Sequence, residues 1–139
     1  MSGAVLDASV FVAAISPREI HHVAARDLYN SYAADRAFLV PSLFRVEVLA
    51  ALSRRGEPDE LLDNVDILVS GPRFHSIPID ASLIERSAQV ARAGRLRAYD
   101  AVYVALALNV DAAFLTLDSD VRSKVAEVFP SLSFVAPAQ

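Results

Sequence analysis

The sequence predicts a three-layer α/β/α domain built around a mostly parallel sheet. Short apolar runs bounded by glycine, proline or aspartate alternate with longer segments of helical periodicity. This alternation is typical of a parallel sheet that carries helices on both faces. The length of 139 residues suits one domain with a substantial core, and 54% of the residues are hydrophobic. No repeat, linker or low-complexity tract interrupts the pattern, so we expect a single domain over residues 1–139.

The hydrophobic pattern gives the elements in chain order. The predicted strands are 3–7, 37–40, 74–79, 112–117 and 132–135. The predicted helices are 11–15, 20–34, 41–55, 60–69, 83–93, 100–110 and 121–128.

Turn and capping residues set several of these boundaries. Pro17 ends the first helix, and Gly94 ends the helix over 83–93. Either Asp80 or Ser82 can cap the start of that helix. Pro41-Ser42 is expected to open a helix, because proline is favoured in the first helical turn.

Composition excludes several classes of protein. The chain has no cysteine, so it has neither disulfides nor thiolate metal sites. The apolar stretch over 98–117 is interrupted by Asp100, Asn109 and Asp111, and no basic region precedes the N-terminal apolar run. We therefore expect no membrane segment, no signal peptide and a cytoplasmic protein.

The formal net charge of −4 counts against a simple nucleic-acid-binding module, since such modules are usually basic. Four acids in unusual positions nevertheless account for this whole charge. A bound cation at those acids would reverse the field that a substrate phosphate meets. The charge alone therefore does not decide whether nucleic acid is a partner.

These four acids are Asp7, Glu47, Asp100 and Asp118. Asp7 and Asp118 end predicted buried strands, whereas Glu47 and Asp100 lie in early turns of apolar helices. Three of them have an ordinary alternative: Glu47 can snorkel or pair with an arginine, Asp100 can complement a helix dipole, and Asp118 can be an N-cap. The carboxyl edge of one parallel sheet would bring all four together, which four independent surface acids would not require.

Clustered carboxylates repel one another and must either take up protons or bind cations. A set of oxygen ligands without cysteine, and with no histidine nearby in sequence, suits hard ions such as Mg²⁺ or Mn²⁺. One or two such ions can activate water and clamp a phosphate. The residues thus indicate a site for metal-dependent phosphoryl transfer, without identifying its substrate.

Four segments in this order resemble the PIN-domain ribonucleases, and in particular the VapC-like toxins of type II toxin–antitoxin pairs. They are 6–9, the apolar helix around Glu47, the segment 99–107 and the segment 115–118. The resemblance implies an Mg²⁺-dependent endoribonuclease, usually homodimeric, that cuts RNA and is neutralised by a cognate antitoxin. It makes Asp7, Glu47, Asp100 and Asp118 the metal-binding and catalytic acids, with Ser9 and Thr116 supporting their carboxylates.

Other polar residues have weaker assignments. Arg92, Arg95 and Arg97 precede Asp100 and are candidate RNA-binding residues, although a solvated helix end explains them equally well. Asp120 is an extra acid that could share a ligand role, but a first-turn helix acid is the simpler interpretation. Arg45 can pair with a carboxylate or face RNA, and Tyr99 can stack on a base or pack against the fold. The histidines His21, His22 and His75 are expected to be surface or capping residues.

Three alternative functions remain to be compared with the toxin. A PIN-type RNA-processing nuclease would lack an antitoxin, and a non-catalytic binding module would keep the fold without needing all four acids. A phosphoacceptor signalling domain would need a lysine at a later strand end, but the only lysine, Lys124, lies in the last predicted helix. No sequence pattern indicates which RNA is cut, how many metal ions are bound or which protein is the antitoxin.

Overall fold

The structure is a computed structural model that describes residues 3–34 and 36–135, and it confirms the α/β fold class. Its strands are β1 (Ala4–Leu6), β2 (Phe38–Pro41), β3 (Phe74–Ile77), β4 (Ala113–Leu115) and β5 (Phe134–Val135). Its helices are α1 (Ala8–Ile15), α2 (His22–Ala33), α3 (Phe44–Arg54), α4 (Asp59–Val69), α5 (Ala81–Gly94), α6 (Ala98–Val110) and α7 (Ser119–Val128). None of these helices is long and apolar enough to cross a membrane.

The strands form one parallel sheet in the order β3-β2-β1-β4-β5. The chain leaves the central strand β1 towards β2 and β3, and later returns to add β4 and β5 on its other side. The strand order therefore reverses between β1 and β4. In open α/β sheets, the crevice at the carboxyl ends of the strands beside such a reversal is the usual ligand site.

Aromatic side chains mark the two layers that cover the sheet. On the face covered by α1 to α4, the ring of Phe11 from α1 lies 5.4 Å from that of Phe74 in β3. The rings of Phe38 in β2 and Phe74 lie 5.7 Å apart. A separate pair beneath the later helices joins Phe114 to Tyr103 of α6, at 6.3 Å. Right-handed crossovers between parallel strands place these two groups of helices on opposite faces. The central strand β1 is consequently buried along its whole length.

Several element boundaries differ from the sequence-based predictions by up to three residues, and two of these differences lie at the carboxyl edge of the sheet. Pro41 does not open a helix but ends β2, in register with Ile77 of β3. The pairing of β2 with β1 stops at Leu39, so Pro41 lies where β2 is locally an edge strand and tolerates a missing N–H. The strand β4 ends at Leu115 instead of 117, which leaves two residues outside regular secondary structure before Asp118.

The end of α5 also differs, because the left-handed residue is Arg95 and not the predicted Gly94. Arg95 has a φ of 54°, whereas Gly94 is still helical and buried. Glycine adopts the left-handed region without the steric penalty that a Cβ brings. Arg95→Gly should therefore raise the free energy of unfolding by about 1 kcal/mol in a denaturant titration. The matched change Arg92→Gly, inside α5, should lower it by about 1 kcal/mol, and equal effects of both changes would contradict the argument.

Candidate active site

The four predicted acids all lie at the beginnings of helices, at the carboxyl edge of the sheet. Asp7 is the N-cap of α1 and Asp118 the N-cap of α7, while Glu47 and Asp100 lie in the first turns of α3 and α6. Each helix N-terminus carries roughly half a positive charge, which partly offsets the repulsion between the carboxylates. The topology therefore brings together acids that are up to 111 residues apart in the sequence.

Asp7 lies at the reversal point between β1 and β4. Its backbone N–H donates to the carbonyl of Leu115 at 3.0 Å, which fixes it beside the end of β4. One carboxylate oxygen accepts the N–H of Ser9 at 3.2 Å, and the other accepts the hydroxyl of Thr116 at 2.8 Å. Thr116 is fully buried and its hydroxyl oxygen also accepts the N–H of Asp118, at 3.1 Å. One threonine thus sets the positions of two acids.

Asp118 is both the N-cap of α7 and a member of the acid cluster. Its Oδ1 accepts the N–H groups of Asp120 and Val121, as an N-cap does. Its Oδ2 faces the other way, 3.6 Å from a guanidinium nitrogen of Arg97. The Nε of the same arginine donates to Asp100 at 2.9 Å, so Arg97 lies between the two aspartates.

Glu47 is partly buried and accepts the hydroxyl of Tyr103 at 2.7 Å. Tyr103 is itself 1% exposed and belongs to α6, the helix that also carries Asp100. Tyr103 has no site role among the sequence-based predictions. The signal was nevertheless there, because a buried tyrosine among aliphatic residues needs a hydrogen-bond partner for its hydroxyl.

The ionisation of the cluster reflects burial and mutual repulsion. Burial raises the pKa of Glu47 to about 6, the hydrogen bond from Tyr103 opposes this rise, and the charges of Asp7 and Asp100 add to it. Burial likewise raises the pKa of Asp7, with a contribution from Asp100. For Asp100, burial raises the pKa and Arg97 counteracts part of that rise. The acids therefore form one coupled group whose negative charge is energetically unfavourable.

The donor set has the chemistry of a site for a hard divalent cation. It offers only oxygen ligands, and a cation would relieve both the burial penalty and the repulsion that raise these pKa values. Within residues 3–34 and 36–135, however, no group of three or more acidic, histidine or cysteine side chains has a geometry that holds a metal ion. Arg97 already neutralises part of the charge at Asp100 and Asp118. A cation that uses Asp100 would thus have to compete with Arg97.

The sequence profile of the PIN domain matches residues 4–127, which is most of the chain. The chain belongs to the PIN domain family. No curated protein sequence matches it. Among solved structures, it is similar to VapBC2 from Rickettsia felis bound to a promoter DNA fragment, with 14% identity and a TM-score of 0.72 over 99% of this chain and 100% of the other.

Two further structures have the same fold as this PIN domain. A toxin–antitoxin complex from Klebsiella pneumoniae has 18% identity and a TM-score of 0.74, with 99% of each chain covered. VapC20 from Mycobacterium tuberculosis, described as a toxin that cleaves the sarcin–ricin loop, has 16% identity and a TM-score of 0.72 over 87% of this chain and 94% of its own. At these identities the comparisons establish the shared fold.

The remaining charged candidates of the PIN domain are distributed around this edge. Arg92 and Arg95 are exposed at the end of α5, close in sequence to Arg97. Asp120 is 72% exposed and pairs with Lys124 one helical turn later, at 3.0 Å. Arg45 points away from Glu47 and binds Asp66 of α4 through two hydrogen bonds, of 2.6 and 3.0 Å. Arg45 therefore pairs with a carboxylate outside the acid cluster.

The histidines were set aside from sequence, and one of them lies closer to the acids than its position suggested. His21 lines the same cavity as Ser9 and Asp118. His22 is hydrogen-bonded through Nδ1 to the carbonyl of Ala13, near the end of α1. No sequence pattern indicated this position of His21, because it depends on how the segment between α1 and α2 folds back over the sheet edge.

The bond from Tyr103 to Glu47 leads to a prediction about ionisation. Tyr103→Phe removes a hydrogen bond that favours the carboxylate, so the pKa of Glu47 should rise above its value of about 6. A carbon-13 titration of the Glu47 carboxyl group by NMR measures this midpoint directly. Tyr99→Phe removes a hydroxyl from the same helix and should leave the midpoint unchanged.

The raised pKa of Glu47 also affects the stability of the folded protein. The pKa of Glu47 is higher in the folded protein than the ordinary value of 4.5, so its ionisation destabilises the metal-free fold. This penalty is complete above pH 6 and disappears as the pH falls towards 4.5. If the NMR titration midpoint of Glu47 stays the same in Tyr103→Phe, the hydroxyl of Tyr103 does not have the role that we give it.

Proposed function

We propose that this PIN domain is a metal-dependent endoribonuclease that acts as the toxin of a toxin–antitoxin pair. The observation that carries the proposal is the meeting of Asp7, Glu47, Asp100 and Asp118 at the helix-starting edge of the sheet. The similarity of the fold to toxins in solved toxin–antitoxin complexes supports it. The substrate is RNA, and the partners are a cognate antitoxin protein and a second copy of the chain.

In this proposal the four acids hold Mg²⁺, or Mn²⁺, at the reversal point of the sheet. The bound cation supplies the Lewis acidity that activates water and the charge that attracts the substrate phosphate. Thr116 and Ser9 keep the carboxylate of Asp7 oriented through their hydrogen bonds to its two oxygens. Tyr103 holds Glu47 in the same way.

The basic residues at the end of α5 have a proposed part in holding RNA. Arg92 and Arg95 are exposed there, and Arg97 reaches from this segment into the acid cluster. Guanidinium groups bind phosphates through paired hydrogen bonds, which position a strand without reading its sequence. We expect Arg92 and Arg95 to contact phosphates outside the cleavage site, and Arg97 to do so once it leaves Asp100.

The decisive experiment is cleavage of total cellular RNA by the purified protein, free of any antitoxin. Wild type with Mg²⁺ should give discrete fragments, while wild type in EDTA and Asp100→Asn with Mg²⁺ should give none. The fragment ends would then identify the sequence or fold that is cut. Glu85→Asn, which alters an exposed acid on α5, should cleave as wild type does.

The other outcomes separate the alternatives. Cleavage that persists in EDTA would exclude metal-dependent chemistry at these acids. Absence of cleavage by folded wild type with both Mg²⁺ and Mn²⁺ would favour a non-catalytic binding module. Cleavage without a small antitoxin gene beside this one would favour an RNA-processing nuclease over a toxin.

A further inference from the structure

A cavity of about 320 Å³ opens beside the acid cluster and is lined by one of its four acids, Asp118. Ser9, whose N–H bonds to Asp7, and Asp118 form the wall nearest the acids. The opposite wall comes from the segment between α1 and α2 and from the end of α3. The volume of the cavity is in the range of small-ligand sites. A nucleotide whose phosphate lies at the acids would therefore have this cavity within reach of its neighbouring base.

The chemistry of the walls differs from one side to the other. Ala13 and Leu117 provide apolar surface, while Glu19, His21 and Arg55 provide polar groups. Arg55 and Glu19 are joined by an ion pair, so a hydrogen-bond donor and an acceptor lie side by side at the rim. Both side chains of this pair are partly exposed, 42% for Arg55 and 27% for Glu19.

The balance of charges argues against a phosphate in this cavity. Two carboxylates, Glu19 and Asp118, line it together with one guanidinium, Arg55. An anion would meet a net negative lining, whereas a neutral planar molecule would not. Apolar surface, an imidazole ring suited to stacking and a donor beside an acceptor together describe a site for an unpaired nucleobase.

We propose that this cavity binds an unpaired guanine base of the RNA, adjacent to the phosphate at the acids. The inference rests on the proposed function for its choice of ligand. Guanine presents the acceptor O6 next to the two donors N1–H and N2–H₂. Arg55 donates to O6, the carboxylate of Glu19 accepts from N1–H and N2–H₂, and the ring of His21 stacks on the base.

The other bases match this pair less completely. Adenine and cytosine each present one amino donor beside one ring acceptor, so they form a single bond with each partner. Uracil has one N–H between two carbonyls and leaves one carboxylate oxygen of Glu19 facing an acceptor. Only guanine uses both oxygens of the carboxylate together with the guanidinium, and paired contacts of this kind discriminate between bases.

The test is direct binding of the four nucleoside 5′-monophosphates to the wild-type protein in the presence of Mg²⁺, followed by amide NMR shifts. GMP should shift the amides of Ser9, Ala13 and His21, with an affinity about tenfold or more above that of AMP. Glu19→Gln should remove most of this preference, and His21→Ala should weaken all four nucleotides. The matched control is Glu57→Gln, which changes an acid paired with Arg18 nearby but outside the cavity, and it should bind GMP as wild type does.

Several outcomes would overturn the inference. Equal affinities for the four nucleotides, GMP shifts confined to other surfaces, or an unchanged GMP affinity in Glu19→Gln would each do so. Cleavage of RNA by the wild type is measured separately, so the two proposals can fail independently. Cleavage without GMP binding at these amides refutes the base site alone. GMP binding without any cleavage refutes the nuclease and leaves a guanine site.

Discussion

Asp7→Asn is expected to abolish RNA cleavage and, at the same time, to stabilise the metal-free protein. Cleavage should fall by more than about a hundredfold, which exceeds the usual effect of losing a group that only orients a ligand. The metal-free protein should melt a few degrees higher at neutral pH, a gain on the order of 1 kcal/mol. The gain arises because burial and the charge of Asp100 raise the pKa of Asp7, so its carboxylate is a cost in the folded state.

The dependence of this gain on pH tests its cause. Because the folded pKa of Asp7 is raised, the penalty is complete above that pKa and disappears once the pH falls below the unfolded value near 3.8. The melting temperatures of wild type and Asp7→Asn, measured in EDTA, should therefore converge on acidification. A large loss of stability in the variant would instead mean that the bonds to Ser9 and Thr116 give Asp7 a mainly structural role.

Asp120→Asn is the matched control for that experiment. It makes the same chemical change at the same sheet edge, but on a side chain that is 72% exposed and paired with Lys124. We expect small effects on both cleavage and melting temperature. If Asp120→Asn cleaves as poorly as Asp7→Asn, then Asp120 takes over a ligand role that we assign to Asp118.

The fold could be predicted from the sequence because its signals are local and repeated. Apolar runs of three to six residues separated by helical periods are sufficient to indicate a parallel sheet with helices on both faces. Boundaries were less predictable where a tertiary contact overrides a local preference. Pro41 reads as a helix start, yet pairing with Ile77 keeps it in β2. Gly94 reads as a helix end, yet the left-handed position falls on Arg95.

The acids of the candidate site could be found from sequence because each interrupts an apolar pattern in a way that costs free energy. Their partners could not be found in this way. The bond from Tyr103 to Glu47 spans 56 residues, and the bond from Thr116 to Asp7 spans 109. Such pairs depend on the order of the strands, which no local pattern encodes. The bond from Arg97 to Asp100 is different, because it spans only three residues and the helical spacing could have indicated it.

Arg97→Gln is expected to strengthen the binding of divalent metal on the order of tenfold. In the metal-free protein Arg97 lies between Asp100 and Asp118, the place where a cation would otherwise neutralise the two acids. Metal must break the bond to Asp100 and is repelled by the guanidinium, so removal of this charge favours the bound state. A tenfold change equals about 1.4 kcal/mol, a reasonable magnitude for charges at a partly buried site. Calorimetric titration with Mn²⁺ measures it.

Arg97→Gln should have two further effects, one on the stability of the metal-free protein and one on the binding of substrate. Without Arg97 the pKa of Asp100 should rise further, because the guanidinium now lowers it, and the variant should melt at a lower temperature in EDTA. If the displaced arginine then holds a substrate phosphate, cleavage at saturating metal should show a raised KM with kcat little changed. Arg92→Gln, which removes an exposed charge from α5, should leave Mn²⁺ affinity unchanged. Weaker Mn²⁺ binding in Arg97→Gln would mean that Arg97 orients Asp100 for the metal instead of competing with it.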